Sequence, residues 1–343
     1  MIDEIISEDI GRTKENVREF RAKVKGQTFL VTGGAGFIGS WLCDVLVDFG
    51  ANVICVDNLS SGMDSNIDHL VGRENFRFIN EDVTTVVIDD KLDYIVHMAS
   101  IASPLSYLAL PIETLDANVI GTKRMLELAK KNNVKGILFT STSEVYGNPD
   151  DKNIPTPETY YGYVNSFGPR AVYDEGKRCA EAYCLAYLNK FKLPIRISRI
   201  FNTFGPRLDI KSKTQYGRVV VKFITQALSR SPITVYGDGT QTRSFCYITD
   251  QIEGLMKLLL APNLDGQVIN IGNTEEVTVL ELAKRIINLT NTPSPIEFHP
   301  PQQDDPRRRR PDMTKAKKLL NFTSRINLDE GLARTIEWFR SMS

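Results

Sequence analysis

A glycine-rich turn near the start of the chain dictates its architecture, and it reads Thr32-Gly33-Gly34-Ala35-Gly36-Phe37-Ile38-Gly39. It follows an apolar run that predicts a buried strand, and it opens a segment that predicts a helix. Glycines at 33, 36 and 39 allow a tight turn, a close backbone approach to a pyrophosphate and close packing of the helix on the strand. Asp57 stands 18 residues after Gly39 at the end of a second apolar run, where an acid binds the adenine ribose. The pattern predicts a dinucleotide site, and the acid favours NAD over NADP because it repels a 2′-phosphate.

Short apolar runs alternate with helical segments on both sides of this turn. The runs lie at 28–31, 53–56, 76–79, 94–98, 136–140 and 195–200, and helical segments lie between several of them, at 41–49 and 122–130. Fully apolar strands that alternate with helices indicate a parallel sheet covered on both faces. We therefore expect an α/β fold with a Rossmann-type doubly wound parallel sheet.

The later part of the chain has a looser pattern, with helical segments at 219–228 and 279–289. We expect an NAD-binding domain over 26–205, to which residues 238–275 return, and mainly a smaller, discontinuous C-terminal substrate lobe over 206–343. Residues 1–25 form a third part, a helical arm with apolar side chains at Ile2, Ile6, Val17, Phe20 and Val24. We expect this arm to be solvated and partly frayed; the alternative is that it packs on the body or on a second subunit.

Composition and charge exclude several classes of protein. The 343 residues include 42 basic and 42 acidic side chains and 42% hydrophobic residues, which is the composition of an ordinary globular protein. Zero net charge argues against duplex nucleic acid or an anionic membrane as a partner. Five cysteines without a CxxC pair predict reduced thiols, a cytoplasmic location and no metal site. We expect neither a signal peptide nor a membrane span.

The two halves of the chain carry opposite charge. Residues 1–180 contain 18 basic and 26 acidic side chains, whereas residues 181–343 contain 24 and 16. The second half therefore favours a site for a small anion. Its run of four arginines, 307–310, is flanked by acids at 304, 305 and 312, and the alternatives for it are a solvated turn or a nucleic-acid patch.

A second group of residues indicates chemistry at a sugar hydroxyl. Tyr173 and Lys177 stand four residues apart in a predicted helix, so they share one face. An ammonium group and an oxidised nicotinamide stabilise a phenolate, which brings the tyrosine pKa toward neutrality. Such a phenolate takes the proton of a hydroxyl while the hydride leaves for NAD.

These segments resemble those of the extended short-chain dehydrogenase/reductases that modify nucleotide sugars, from about residue 28 to residue 340. Within that family they are most similar to the UDP-glucuronate decarboxylases. The resemblance is carried by Ser141-Thr142-Ser143-Glu144-Val145-Tyr146-Gly147, Tyr173-Asp174-Glu175-Gly176-Lys177-Arg178, Gln241-Thr242-Arg243 and the ranges 168–171, 200–207, 217–220 and 304–312. It implies NAD-dependent conversion of UDP-glucuronate to UDP-xylose through C4 oxidation, loss of carbon dioxide and re-reduction. It also implies a homodimer formed through helices near Thr122 and Lys177.

The resemblance further implies residue roles. Tyr173 is the base, Lys177 its electrostatic partner and Thr142 a hydroxyl that bonds the C4 oxygen. Glu144 and Arg243 serve decarboxylation and C5 protonation, in a division that the sequence leaves open. The residues expected around NAD are Tyr173, Lys177, Gly33, Gly36, Phe37, Ile38, Gly39, Asp57, Asn58, Gly62, Asp82, Val83, Ala99 and Ser100. Asp82 is equally suited to capping a turn. Those expected around the UDP-sugar are Ser143, Asn202, Arg207, Arg218, Tyr236, Gln241, Arg243 and Arg309.

Other activities of the family are alternatives. Related 4,6-dehydratases carry Asp where this chain has Ser143, because expelling the C6 hydroxyl requires an acid. Many 4-epimerases carry small residues at both positions, and Glu144 argues against that class. We keep a UDP-sugar 4-epimerase, a nucleotide-sugar 4,6-dehydratase and a non-catalytic NAD-binding regulator as alternatives, in that order. Two departures from the family pattern are Ile101 and Asp116; the acid would repel a glucuronate if it pointed inward, and we expect it to point outward.

Overall fold

The computed structural model describes residues 2–208, 218–301 and 305–342. Gly217 and Asp304, which belong to segments named above, lie outside the described residues, as does the side chain of Ile2. The described strands are β1 (Thr28–Thr32), β2 (Asn52–Val56), β3 (Phe76–Ile79), β4 (Tyr94–His97), β5 (Gly136–Thr142), β6 (Ile195–Ile200), β7 (Thr203–Phe204), β8 (Ile233–Tyr236), β9 (Thr242–Ser244), β10 (Cys246–Tyr247), β11 (Val268–Ile271), β12 (Glu276–Thr278), β13 (Ile296–His299) and β14 (Arg308–Arg309).

The α-helices connect these strands and cover them. They are α1 (Ile2–Asn16), α2 (Arg21–Val24), α3 (Phe37–Asp48), α4 (Pro104–Ala109), α5 (Pro111–Asp116), α6 (Thr122–Asn132), α7 (Ala171–Phe191), α8 (Val219–Leu228), α9 (Ile248–Leu260), α10 (Val279–Thr290), α11 (Thr314–Leu320) and α12 (Leu328–Ser341). A π-helical turn at Ala117–Gly121 joins α5 to α6, and a 3₁₀ turn at Ser143–Tyr146 follows β5.

Seven parallel strands form the central sheet in the order β11-β6-β5-β4-β1-β2-β3. All six strands predicted from the apolar runs belong to it, and β11 is the seventh. Apolar side chains cover both faces: Trp41 and Leu255 belong to one core and Leu126 and Ile137 to the other. The fold is therefore the expected Rossmann-type doubly wound sheet.

The strand order indicates which edge of the sheet can bind a ligand. The chain winds away from β1 in two directions, because β1 lies between β2 and β4. At such a switch point the loops after neighbouring strands diverge and leave a crevice at the carboxyl ends of the strands. The glycine-rich turn follows β1, and the segment that begins at Ser143 follows β5. Both predicted groups of functional residues therefore lie at the same edge of the sheet.

A second, smaller layer of strands faces this edge. In it β9 pairs with β12 and β14, and β8 pairs with β13. The register of the β9–β14 pair places Arg309 opposite Arg243. After β10 the chain returns to the main sheet through α9 and β11, so the substrate side is built from separate segments.

The N-terminal arm differs from the expectation of a solvated helix. Helix α1 packs against α9, α3 and α12, and the side chains of Val17 and Val24 are fully buried. The Asp9 carboxylate, also fully buried, accepts a hydrogen bond from the Tyr247 hydroxyl (2.6 Å) and contacts Arg334 (3.0 Å). The expectation failed because these buried polar contacts come from residues far away in sequence.

Candidate active site

The glycine-rich turn forms a cradle with no room for side chains. Gly33 has a φ of +72°, and a Cβ atom there would lie 2.7 Å from the backbone nitrogen of Ala99. A Cβ atom at position 39 would lie 2.1 Å from the carbonyl oxygen of Gly33. Only glycine at this position therefore lets α3 pack so closely against the turn. Helix α3 begins at Phe37 without a side-chain cap, which leaves its first N–H groups for an anion. These features fit the pyrophosphate of NAD.

Asp57 lies over this turn. Its carboxylate accepts hydrogen bonds from the backbone N–H groups of Ala35 (3.0 Å) and Leu59 (2.9 Å), and burial raises its pKa. A Cβ atom at Gly62 would lie 2.8 Å from the carboxylate, so Gly62 makes room for Asp57. Asp82 accepts from the Asn58 amide (2.7 Å) and also from the backbone of Thr84, so it does cap a turn.

One cavity of about 470 Å³ extends from the glycine-rich turn to the strands of the smaller layer. It is lined by all the predicted site residues except Gly62, which backs Asp57 instead. Those lining it on the coenzyme side are Gly33, Gly36, Phe37, Ile38, Gly39, Asp57, Asn58, Asp82, Val83, Ala99 and Ser100. Those on the substrate side are Thr142, Ser143, Glu144, Tyr173, Lys177, Asn202, Arg207, Arg218, Tyr236, Gln241, Arg243 and Arg309.

Tyr173 lines this cavity from the first turn of α7. The Thr142 hydroxyl is close enough to its phenol to oppose a rise in its pKa, and its ring stacks on Tyr107 with centroids 5.4 Å apart. Burial, with the negative charge of Glu144, raises the pKa of Tyr173 to about 12. The Lys177 amine donates to the carbonyl oxygen of Thr140 (2.9 Å), and burial lowers its pKa to about 7. The expected shift of the Tyr173 pKa toward neutrality requires bound NAD as well as Lys177, and it stays a prediction.

Glu144 is held by two arginines, and neither is Arg243. Both nitrogens at the end of Arg309 contact its carboxylate (2.7 Å each), and Arg170 donates to it at 2.6 Å. Burial alone would raise the pKa of Glu144, but Arg309 and Arg170 hold it below its ordinary value. The Arg243 guanidinium instead pairs with Asp305 at 2.8 Å. Of the two arginines that face each other across the β9–β14 pair, Arg309 therefore binds Glu144 and Arg243 binds Asp305.

Some of the predicted substrate residues have protein partners of their own. Arg207 pairs with the buried carboxylate of Asp44 at 2.6 Å and lies over the ring of Trp41, which gives it a structural task as well. The Gln241 amide donates to the backbone oxygen of Tyr236 (2.7 Å), and the Asn202 amide to that of Ser244 (3.2 Å). Of the four consecutive arginines, Arg309 is the one that lines the cavity.

The structure also adds residues that the sequence reasoning missed. Arg170 and Lys222 both line the cavity, and the amine of Lys222 lies 4.2 Å from the ring centroid of Tyr236. Asp174 is buried beside Glu144, and burial together with that neighbouring negative charge raises its pKa to about 7. Sequence spacing could have indicated both residues, because Arg170 precedes Tyr173 by three residues and Lys222 follows Arg218 by four.

The two departures from the family pattern have different surroundings. Asp116, at the end of α5, does not line the cavity, so no acid from that position faces the substrate space. Ile101 is buried and packs with Tyr107 and Tyr173. Among the described residues no cluster of His, Cys, Asp and Glu could hold a metal ion. None of the described helices is long and apolar enough to cross a membrane.

Comparisons with known proteins agree with this geometry. Residues 29–272 match the model of the NAD dependent epimerase/dehydratase family. A UDP-glucuronic acid decarboxylase 1 from Danio rerio is 45% identical, with 98% of this chain and 82% of that protein covered. A UDP-glucuronic acid decarboxylase 4 from Arabidopsis thaliana is 46% identical, with 91% and 68% covered.

Solved structures of related enzymes share the fold. A UDP-glucose 4-epimerase from Thermotoga maritima, solved with UDP-glucose, superposes with a TM-score of 0.83 at 30% identity and covers 92% of this chain and 99% of its own. A UDP-glucuronic acid 4-epimerase from Bacillus cereus, in complex with UDP-glucuronic acid and NAD, has a TM-score of 0.80 at 28% identity, covering 92% and 100%. The match of residues 29–272 to the family model and the identity of 45% to a relative over nearly the whole chain show that the chain belongs to the NAD dependent epimerase/dehydratase family.

Proposed function

We propose that this protein converts UDP-glucuronate to UDP-xylose and carbon dioxide, with NAD as its cofactor. The main support for this proposal is the position of Glu144. Arg309 and Arg170 keep its carboxylate ionised, and it lines the same cavity as Tyr173 and Thr142. The identity of 45% to curated UDP-glucuronic acid decarboxylases over nearly the whole chain supports the same activity.

Tyr173 opens the reaction by taking the proton of the C4 hydroxyl, whose oxygen is also held by Thr142. The glycine-rich turn and Asp57 would hold NAD, which would supply the acceptor for the C4 hydride and the source of that hydride for the reduction that follows loss of carbon dioxide. The C4 ketone is β to the C6 carboxylate, so the C5–C6 bond breaks and its electrons form a C4–C5 enolate. Tyr173 finally returns its proton to the C4 oxygen, and the sum is redox-neutral.

Glu144 acts in the middle of this sequence. Because Arg309 and Arg170 keep its pKa low, it is an acceptor at neutral pH and cannot supply a proton of its own. We infer that it orients a water molecule whose proton goes to C5 of the enolate. The hydroxide that remains takes a proton from solvent, so one proton is consumed for each carbon dioxide released. The cations Arg309 and Arg243 line the same cavity and attract the anionic substrate.

A 4-epimerase is the alternative that the structural neighbours keep open, since epimerases share the fold. The contacts of Glu144 with Arg309 and Arg170 argue against an epimerase, because the keto sugar must rotate in the site and a fixed carboxylate would restrict that rotation. Ser143, which lines the cavity, argues against a 4,6-dehydratase for want of an acid. The full set of Tyr173, Lys177 and Thr142 argues against a non-catalytic regulator.

Mass spectrometry of the product separates these activities. The NAD-loaded protein is incubated with UDP-glucuronate, and we expect the product to weigh one carbon dioxide less than the substrate. An unchanged mass with an altered sugar NMR spectrum would indicate the epimerase. No reaction with this substrate would exclude both activities for it.

We further propose a homodimer and a cytoplasmic location. Helices α6 and α7 pack side by side, and Leu185 on α7 exposes 57% of its surface, so these helices are the candidates for the dimer contact. All five cysteines are free and four are buried, which suits a reducing compartment. Sedimentation equilibrium of the protein and of a Leu185→Glu variant tests the dimer: the substitution should shift the wild-type dimer toward monomer.

A further inference from the structure

Lys222 is a cationic residue of the cavity wall that the proposed mechanism does not use. Its side chain is 93% buried, at 7% relative exposure, and it lines the cavity. Among the described residues no acidic side chain pairs with its amine, which donates to the carbonyl oxygen of Thr234 at 3.4 Å and lies over the ring of Tyr236. Burial lowers its pKa to about 8, so most of the amine is still protonated at pH 7. A buried ammonium with donors to spare requires an acceptor from a ligand.

The position of Lys222 along α8 indicates which part of a ligand it meets. Arg218 precedes the first turn of α8, close enough to the reaction centre for its charge to lower the pKa of Tyr173. Arg218 also lies over the ring of Phe37, in the glycine-rich turn. Lys222 is one helical turn farther along the same face. The cavity wall therefore runs from Tyr173 past Arg218 to Lys222.

A sugar nucleotide has its groups in a fixed order that matches this wall. The sugar occupies the end at Tyr173, the diphosphate follows next to Arg218, and the ribose and base extend beyond it. The far end carries Tyr236, Gln241 and Thr234 together with Lys222, which is an aromatic ring with amide and hydroxyl groups. Rings and amides of this kind suit a planar heterocycle, whereas a diphosphate favours clustered arginines.

We propose that Lys222 recognises the pyrimidine base of the substrate by donating a hydrogen bond to a ring carbonyl oxygen. Lys222 thereby contributes to specificity for the nucleotide, at a distance from the bond-breaking steps. This inference rests on the proposed function, because it takes a UDP-sugar as the ligand.

Binding of two probes to the NAD-loaded protein tests the assignment by calorimetry. The probes are UDP and ribose 5-diphosphate, which has the same diphosphate and no base. For Lys222→Met we expect the Kd for UDP to rise about tenfold to a hundredfold, the value of one hydrogen bond from a charged donor. The Kd for ribose 5-diphosphate should stay within about twofold of the wild type, because that probe lacks the acceptor.

Controls keep the outcomes distinct. Lys284→Met removes an exposed lysine outside the cavity and should change neither Kd. Melting temperature and NAD binding verify that Lys222→Met is folded, since methionine is close to lysine in length. If this variant is not folded, Lys222→Leu, which also lacks a hydrogen-bond donor, takes its place. Equal weakening of both probes would assign Lys222 to the diphosphate, and an unchanged Kd for UDP would leave it without a ligand role; either result overturns the proposal. If the wild type binds NAD but not UDP, the proposed function itself fails.

Discussion

Each carboxylate oxygen of Glu144 lies 2.7 Å from a different guanidinium nitrogen of Arg309, so the two side chains form a forked pair. Arg170 donates to the same carboxylate from α7's N-terminal end. The pair joins the turn after β5 to β14, and its two residues are 165 positions apart in sequence. The pair therefore holds a carboxylate of the main-sheet side against an arginine of the smaller layer of strands.

Arg309→Met should lower the rate of UDP-xylose formation by on the order of 10²–10³, the usual effect of losing one preorganised charged group at a reaction centre. Arg170 keeps one contact to Glu144, so the variant should still fold. The measurement is the steady-state release of carbon dioxide. Arg307→Met is the matched control, because Arg307 is exposed and does not line the cavity. A wild-type rate in Arg309→Met would show that the forked pair has no part in catalysis.

Tyr173→Phe should lower turnover by about 10²–10⁴, since it removes the group that exchanges a proton with the C4 oxygen. Only a hydroxyl is lost and the ring can still stack on Tyr107, so the fold and NAD binding should persist. Product formation and NAD binding are measured on the same preparation. Tyr161→Phe, at a side chain that is 92% exposed, is the control. Undiminished turnover in Tyr173→Phe would refute Tyr173 as the base.

Asp57→Ala should weaken NAD binding by about tenfold to a hundredfold, because the ribose loses its acceptor and Ala35 and Leu59 lose the partner of their N–H groups. It should also narrow the preference for NAD over NADP, because the acid no longer repels a 2′-phosphate. Fluorescence titration with both coenzymes measures the two effects. An unchanged ratio of the two dissociation constants would contradict the assignment of Asp57 to the ribose.

Lys177 should make stability depend on pH. Burial lowers its pKa to about 7, whereas an unfolded lysine titrates near 10.4. Between these values the unfolded chain binds the extra proton, so this group adds stability as the pH rises from about 7 toward 10.4. Lys177→Met lacks the effect. We expect the melting temperature of the variant to exceed that of the wild type by more at pH 6.5 than at pH 9.5, with Lys284→Met as the control for general pH effects.

Arg334→Met should cost roughly 3 kcal/mol of unfolding free energy, because it leaves the buried carboxylate of Asp9 without its cation. Burial already raises the pKa of Asp9, so protonation of this acid limits the loss. Arg12→Met is the comparison: its pair with Glu330 is more than a third exposed on both sides and should cost at most about 1 kcal/mol. Urea denaturation measures both, and equal losses would contradict the importance of the buried pair.

The sequence predicted the sheet well because the signals were local. Gly33, Gly36, Gly39 and Asp57 lie within one βαβ unit or directly after it, so their spacing alone predicts the coenzyme site, and each apolar run corresponds to a single strand. Tyr173 and Lys177 were predictable for the same reason, since one helical turn brings them together. The choice of Arg309 instead of Arg243 as the partner of Glu144 depends on the β9–β14 register, which links distant segments. Lys222 depends on how α8 lies against β8, and no local pattern signals that contact.

The packing of α1 has a consequence for how the protein unfolds. Through Asp9 and Arg12 the first described helix holds the last one, α12, while its other neighbours α3 and α9 flank the main sheet. Helix α12 in turn packs on α8 and α10, beside the smaller strands. Helices α1 and α12 together therefore connect the helices beside the main sheet with the helices beside the smaller strands. We expect a single cooperative melting transition, in which neither half survives the loss of the other.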